Sequence, residues 1–122
     1  MTRPSVIISA FADEAANRRT ALEQMTALAA VGIRNYSPRF IDVTGEGKVE
    51  HVTELTPEKL EKLKAFHAEY GVSVTSIGAR IGKVKLLNVD DGSHNKFVPF
   101  EDYLAGEVSR TIRVAKALDT KL

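Results

Sequence analysis

The feature that most constrains the fold is an apolar segment followed by a helical segment, a pattern that occurs three times along 122 residues. Each apolar segment is short and rich in β-branched residues, which is typical of buried parallel strands. The three segments are Val6 to Ala10, Ile33 to Ser37 and Val72 to Ile77. The chain between consecutive segments is longer than the roughly twelve residues that a right-handed parallel crossover needs. The pattern therefore predicts an α/β fold built from three parallel βα units.

Each predicted strand is followed by a predicted helix with recognisable end signals. Asn17 can cap the first helix and Thr56 the second, while Gly32 and Gly71 are placed to stop them. Gly106 lies inside the third helix, where it costs about 1 kcal/mol relative to Ala, so a close approach by another group is expected there. The predicted spans are Asn17 to Val31, Pro57 to Tyr70 and Pro99 to Leu118. The expected apolar faces are Leu22, Met25, Leu28 and Ala29; Leu60, Leu63, Phe66 and Tyr70; and Phe100, Leu104, Val108, Ile112 and Ala115.

Two longer connections separate these units. Residues 39–55 are expected to contain extended structure around Val49 to Val52, and Gly78 to Val98 form a second excursion. His67 lies within the second helix and is expected to be a half-exposed surface residue. The sequence reaches Leu122 where a fourth strand would begin, so the series of βα units is expected to be cut short.

Composition and charge argue against several classes of protein. Lys and Arg total 17 against 16 Asp and Glu, and the two signs are interleaved, so no basic stripe favours nucleic-acid binding. The sequence has no Cys, which excludes disulfides and thiolate metal sites. No apolar run approaches the ~20 residues of a membrane helix. A cytoplasmic protein that binds neither nucleic acid nor membrane is expected.

Candidate ligand-binding residues follow the three predicted strands, because ligands of parallel α/β sheets bind at the carboxyl ends of the strands. Carboxylates beside guanidinium and ammonium groups suit a polyhydroxylated or anionic ligand. A purely structural interpretation is also open: Asp13 and Glu14 would complement the positive end of the first helix, and Arg39 would pair with Asp42. The candidates are Phe11, Asp13 and Glu14 after the first strand; Arg39 and Asp42 after the second; and Gly78, Arg80, Gly82 and Lys83 after the third.

Other motifs do not form a complete catalytic set. Gly78 to Val84 imitates a phosphate-binding loop, but it is one residue short between the glycines and lacks Ser or Thr after the Lys. The three histidines, His51, His67 and His94, have no metal-ligand spacing.

Three segments together resemble the sugar phosphate isomerase/epimerase family with a xylose-isomerase-like TIM barrel. They are Ile8 to Glu14, Arg39 to Asp42, and Ser76 to Gly78 with Ile81 to Lys83. The resemblance covers essentially all of residues 1–122 and falls on the N-terminal half of that barrel. The sequence departs from the family at Pro38, at Ala79 and Arg80 where Ser-Pro is usual, and at Asp119 where Gly normally closes the helix.

The resemblance implies metal-assisted aldose–ketose isomerisation or ketose epimerisation of a sugar or sugar phosphate. The complete family enzyme would use a divalent ion (Mn, Mg or Zn), with ligands and an acid/base pair supplied chiefly by the second half of the barrel. No catalytic residue, metal ligand or bound metal is therefore expected in this chain alone. By the same resemblance, the expected substrate-binding residues are Phe11, Glu14, Arg39, Asp42, Gly78 and Lys83.

Two alternatives stay open at this point. One is a metal-dependent phosphodiesterase like the DNA-repair endonucleases on a related barrel, and the other is a non-catalytic half-barrel that assembles with a partner. A three-stranded half-barrel would leave an inner face, including some of Val6, Ile8, Val72 and Val74, without a barrel interior to fill it. A second copy or another polypeptide that completes the barrel is therefore expected.

Overall fold

A three-stranded parallel sheet forms the centre of the computed structural model, which describes residues 2–122. Its strands, in spatial order, are β1 (Ser9–Ala10), β2 (Asn35–Tyr36) and β5 (Ser73–Val74). Ala10 lies opposite Tyr36, and Tyr36 lies opposite Val74. Helices follow the strands along the chain, so the expected α/β class with a parallel sheet is confirmed.

The strands are shorter than expected, and the first is not buried along its length. Pairing begins only at Ser9, so the three apolar residues before it extend beyond the paired part of the sheet. Val6 is 82% exposed and Ile8 66% exposed. The expectation of a buried strand from Val6 was therefore wrong. Val72 was expected on the same open face, but it is buried in the core.

The connection between the second strand and the second helix contains a second sheet. Strands β3 (Phe40–Ile41) and β4 (Glu50–His51) pair in antiparallel orientation, and a 3-10 turn (Val52–Glu54) follows. The extended structure expected around Val49 to Val52 is thus β4, but its partner β3 was not foreseen. Pro38 separates β2 from β3 and is fully buried.

The first two helices differ in how well the sequence predicts them. Helix α2 (Pro57–Tyr70) begins at its Thr56 cap and ends at Gly71, as expected. Helix α1 (Ala21–Ala30) begins four residues later than expected, because the Thr20 hydroxyl, and not Asn17, accepts the hydrogen bond from the backbone of Glu23. Leu22 is exposed, and Gln24 instead lies buried on the inner face.

The C-terminal helix has three continuous parts: α3 (Phe100–Tyr103), a π-helical turn (Leu104–Val108) and α4 (Ser109–Ala117). The expected apolar face was wrong, because the wider π turn rotates the residues before it relative to those after it. Phe100, Leu104 and Ile112 are exposed, while Tyr103, Thr111, Val114 and Leu118 are buried. The close approach expected at Gly106 was also wrong, since a Cβ there would meet nothing within 4 Å. The helices within residues 2–122 are all too short or too polar to cross a lipid bilayer.

Two clusters of buried side chains form the core and meet at Phe66 and Val74. One lies between the sheet and α1, around Met25 and Tyr36, and the other joins the hairpin to α2 and α4. His67 is buried against the first cluster and its Nε2 lies 2.6 Å from the Tyr36 hydroxyl. The expectation of a half-exposed His67 was wrong, because this residue follows Leu63 by four positions on the inner face of α2.

Candidate functional site

Residues from the loops after β1, β2 and β5 meet at the carboxyl end of the parallel sheet. The Arg39 guanidinium lies 2.9 Å from Asp13 Oδ1 and 2.8 Å from Glu14 Oε1. It also lies 4.3 Å from the centre of the Phe11 ring. Gly78, from the third loop, lies directly against the Arg39 side chain. We call these five residues the Arg39 cluster.

Local backbone structure determines which carboxylate is buried. A 3-10 turn (Ala12–Ala15) begins directly after β1 and directs Asp13 inward, where it is buried, and Glu14 outward, where most of its side chain faces solvent. The hydrogen bond to Asp13 raises the pKa of Arg39, and that to Glu14 adds to it, although burial acts against both. The guanidinium is therefore charged and held in place by the loop after β1.

One structural interpretation of these charges was wrong, because Arg39 pairs with Asp13 and Glu14 and not with Asp42. Asp13 and Glu14 lie in the 3-10 turn, whereas α1 begins only at Ala21.

Gly78 is required at its position by steric contact. A Cβ there would clash with the Cγ of Arg39 and would lie 2.9 Å from its Cδ and 3.1 Å from the Pro38 carbonyl oxygen. The Gly78 carbonyl accepts a hydrogen bond from Nε2 of buried His51, at 3.0 Å. Burial lowers the pKa of His51, although this hydrogen bond acts in the opposite direction, so the imidazole is neutral near pH 7. The sequence around His51 does not reveal this role, because the partner of His51 lies 27 residues away.

Asp42 lies away from the cluster and organises the hairpin loop. Its carboxylate is buried and accepts hydrogen bonds from the backbone N–H groups of Gly45 and Gly47, at 2.9 and 2.8 Å. Burial raises the pKa of Asp42, but these hydrogen bonds and one from Thr44 outweigh it and lower the pKa overall. Asp42 is therefore a structural carboxylate, because its oxygens accept hydrogen bonds from its own loop.

Lys83 also lies apart from the Arg39 cluster. It lines a separate cleft between the loop after β5 and the C-terminal helix. Of the six expected substrate-binding residues, the structure thus brings together Phe11, Glu14, Arg39 and Gly78, while Asp42 and Lys83 lie elsewhere.

An open cleft of about 630 Å³ adjoins the Arg39 cluster at Asp13 and Glu14. We call it the Glu14 cleft; its polar lining also includes Asn17, Arg18 and Arg19. Arg19 has a φ of 54°, a left-handed conformation that costs a non-glycine residue roughly 1–3 kcal/mol and that is often found at functional sites. Sequence reasoning missed Arg18 and Arg19 because it placed them inside α1.

The described part of the chain, residues 2–122, contains no group of three or more His, Asp or Glu side chains that could hold a metal ion. Two of the three histidines have other partners: His67 contacts Tyr36, and His51 contacts Gly78. We therefore do not assign the divalent metal, which the resemblance implies, to any of the described side chains.

No protein-family model, curated protein or solved structure matches this chain. The chemistry at the carboxyl end of the sheet thus stands alone as an indication of function. Glu14 offers exposed carboxylate oxygens that accept hydrogen bonds from hydroxyl groups, and the neighbouring arginines donate hydrogen bonds to hydroxyl or anionic oxygens. This combination suits a small polyhydroxylated ligand.

Proposed function

We propose that the chain is the N-terminal portion of a metal-dependent sugar or sugar phosphate isomerase or epimerase with a TIM barrel, and that it forms the substrate-side wall of the pocket. The observation that carries this proposal is the Arg39 cluster, in which the loops after β1 and β2 contribute side chains and the loop after β5 contributes the backbone of Gly78 to one point. Ligands bind at this end of parallel α/β sheets, and above all in TIM barrels.

The residues of the cluster have separate roles in this proposal. Glu14 accepts hydrogen bonds from sugar hydroxyls, and Arg39, whose side chain is 28% exposed, donates one to a substrate oxygen. Asp13 is buried and holds Arg39 in position. The proton transfer between neighbouring carbons and the metal ligands belong, as the resemblance implies, to the second half of the barrel.

A partner that supplies further βα units is part of the proposal. Val6, Ile7 and Ile8 expose apolar side chains next to β1, which is an edge strand of the parallel sheet. Edge strands present unpaired backbone groups, and exposed apolar residues beside them favour pairing with another chain. A second copy or another polypeptide would cover these residues.

Binding of sugars to the isolated chain tests the substrate-wall role. We expect xylose, fructose or ribose 5-phosphate to shift the backbone amide signals of Glu14, Arg39 and Gly78 in nitrogen-15 NMR titrations. Arg39→Ala should weaken binding about tenfold or more, because a charged hydrogen bond is worth roughly 1.5–3 kcal/mol. Arg34→Ala is the matched control, since Arg34 is an exposed arginine at the opposite end of β2.

Loss of Arg39 leaves the buried Asp13 without its partner, so a second variant guards against misfolding. Glu14→Gln removes an exposed charge and should fold normally while weakening sugar binding. Glu69→Gln, on the exposed face of α2, is its control. If no sugar shifts the amide signals of the cluster, the proposed function is wrong. It is also wrong if Arg39→Ala and Glu14→Gln bind sugar as well as their controls, Arg34→Ala and Glu69→Gln.

A further inference from the structure

The C-terminal helix carries an apolar stripe that faces solvent in the described part of the chain, residues 2–122. Phe100 is 57% exposed, Leu104 41% and Ile112 49%, and Val108 and Ala115, which continue the stripe, are half-buried. Steps of four residues drift slowly around an α-helix, because one turn holds about 3.6 residues, and the wider π-helical turn offsets part of this drift. The five residues therefore lie along one side of the helix. We call them the helix stripe.

One flank of the helix stripe has acid at one end and bases at the other. Glu101, Arg113 and Lys116 each follow a stripe residue by one position, so all three lie on the same flank. They are exposed, and within residues 2–122 none of them forms an ion pair. Between them the flank carries Ala105 and Ser109, whose small side chains allow another helix to approach closely.

This distribution of side chains is complementary to itself. When two such helices pack antiparallel about a two-fold axis at Val108, Leu104 of each copy lies opposite Ile112 of the other, because each is four residues from the axis. Equivalent flanks meet across this axis, so Glu101 of each copy comes close to Lys116 of the other. A parallel pair would instead place like charges together. The stripe and its flank therefore favour a second, antiparallel copy of the same helix.

A shallow groove beside the helix stripe provides space for a side chain of that second copy. The groove has a volume of about 390 Å³ and is lined by Ser109, Ile112, Arg113 and Lys116. Phe100, eight residues before the axis, lies opposite Lys116, eight residues after it. The exposed Phe100 ring of one copy can thus enter the groove of the other, where its apolar surface is removed from water.

We propose that the helix stripe is the contact surface of a symmetric antiparallel dimer, with a second copy of this chain as its occupant. A single pair of helices about 27 Å long covers less than the roughly 800 Å² per partner that stable complexes bury. The dimer is therefore weak and should form at concentrations of about 100 µM and above.

This surface is separate from the apolar residues before β1, and the proposal does not depend on the proposed function. Thr120 and Leu122, which follow the helix, hydrogen-bond to Thr75 and Ile77 beside β5. Strand β1 forms the other edge of the sheet. Association through one surface therefore leaves the other accessible, and Ile8→Lys removes the contribution of the surface before β1 from the tests below.

Sedimentation equilibrium of the Ile8→Lys protein tests whether the helix stripe mediates association. Dimers should appear with increasing concentration, and Leu104→Lys should abolish them, because it places a charge in the apolar contact. Leu22→Lys, which changes an exposed leucine of α1, is the matched control and should leave the dimer unchanged. A monomer at all concentrations, or equal effects of the two leucine variants, would overturn the proposal.

Exchange of the flanking charges tests the antiparallel arrangement. Glu101→Lys and Lys116→Glu should each weaken the dimer roughly threefold to tenfold, since each change places like charges opposite one another twice. The double variant should restore wild-type dimerisation. Both changes oppose the helix dipole, so a more stable helix cannot explain this rescue. Failure of the double variant to recover would contradict the arrangement.

Disulfide cross-linking locates the two-fold axis. The chain has no Cys, so Val108→Cys introduces a single thiol at the proposed axis, where the two Cα atoms would lie within the roughly 4.4–6.8 Å that a disulfide spans. Mild oxidation should produce a covalent dimer. Ala105→Cys is the control, because Ala105 is exposed on the same helix but lies three residues from the axis and about a quarter turn from the stripe. Equal cross-linking of both variants would contradict the proposed axis.

Discussion

Tyr36 and His67 place two polar groups in the centre of an otherwise apolar cluster. Tyr36 is fully buried, and its hydroxyl lies 2.6 Å from Nε2 of His67. Burial raises the pKa of Tyr36 well above its ordinary value and lowers that of His67 to about 4. Both groups are therefore neutral at pH 7, and their hydrogen bond satisfies each of them.

Acid should destabilise the fold through His67. Its pKa is about 4 when folded and near 6.5 when unfolded, so the unfolded state binds more protons between these values. The stabilisation is fully present above pH 6.5 and is lost as pH falls towards 4. We expect the free energy of unfolding to drop by roughly 3 kcal/mol over this range, measured by urea denaturation.

Two variants identify the group responsible for this loss. His67→Gln should reduce the dependence of the free energy of unfolding on pH between 6.5 and 4, and should leave only the part due to His51, whose pKa burial also lowers. His94→Gln removes an exposed histidine and should preserve the wild-type pH dependence. A wild-type dependence in both variants would mean that His67 is not the group that titrates.

Gly78 and Arg39 should be energetically coupled. Gly78→Ala introduces a Cβ against Cγ and Cδ of Arg39, and such overpacking costs about 1–3 kcal/mol. In an Arg39→Ala background only the 3.1 Å contact with the Pro38 carbonyl oxygen remains, so the same Gly78→Ala change should cost clearly less. A double-mutant cycle by chemical denaturation measures this coupling, and additive effects would contradict the contact.

At the scale of the elements, the sequence predicts the ends of a helix correctly where residues next to those ends determine them. Both ends of helix α2 could be predicted from the sequence. Thr56 and Pro57 at its start and Gly71 at its end each act within one turn of the helix. The start of α1 was missed because Asn17 and Thr20 are both good caps, and the choice depends on Asp42, whose carbonyl accepts from the backbone of Ala21. That contact is tertiary and leaves no mark on the sequence near α1.

Gly106 should be replaceable with a gain in stability. It lies in the interior of the C-terminal helix, and an added Cβ would meet nothing within 4 Å. Gly106→Ala should therefore raise the free energy of unfolding by about 0.5–1 kcal/mol. Gly71→Ala is the contrasting variant, since Gly71 ends α2 with a φ of 63° and Ala there should be destabilising. Equal effects of the two changes in a thermal melt would contradict this reasoning.

The candidate site shows the same division between local and tertiary information. The carboxyl-end rule for parallel strands placed Phe11, Glu14, Arg39 and Gly78 together, because topology alone brings those loops to one edge. The pairing of the charges was not predictable from the sequence. It depends on the 3-10 turn after β1 and on the hairpin loop, within which the Asp42 carboxylate is hydrogen-bonded.

At the scale of the whole molecule, the unpaired apolar residues before β1 should make the chain associate. Burial of Val6, Ile7 and Ile8 is worth on the order of 5–9 kcal/mol before the entropy cost of association. We expect sedimentation velocity at low micromolar concentration to show a dimer or larger species. Ile8→Lys should shift the distribution towards monomer without lowering the melting temperature of the monomer, since Ile8 is 66% exposed. A wild-type monomer that melts cooperatively would contradict the expected partner.

The parallel sheet also has a consequence for how the chain reaches its fold. Ala10 pairs with a residue 26 positions later, Tyr36, which in turn pairs with Val74, 38 positions further on. Each pairing must close a long loop before it gains any hydrogen bonds, whereas helix α2 and the β3–β4 hairpin need only neighbouring residues. The helix and the hairpin should thus form early, and closure of the sheet should limit the folding rate. The residues at the carboxyl end of the sheet, Arg39 among them, would then come together only in this last and slowest step.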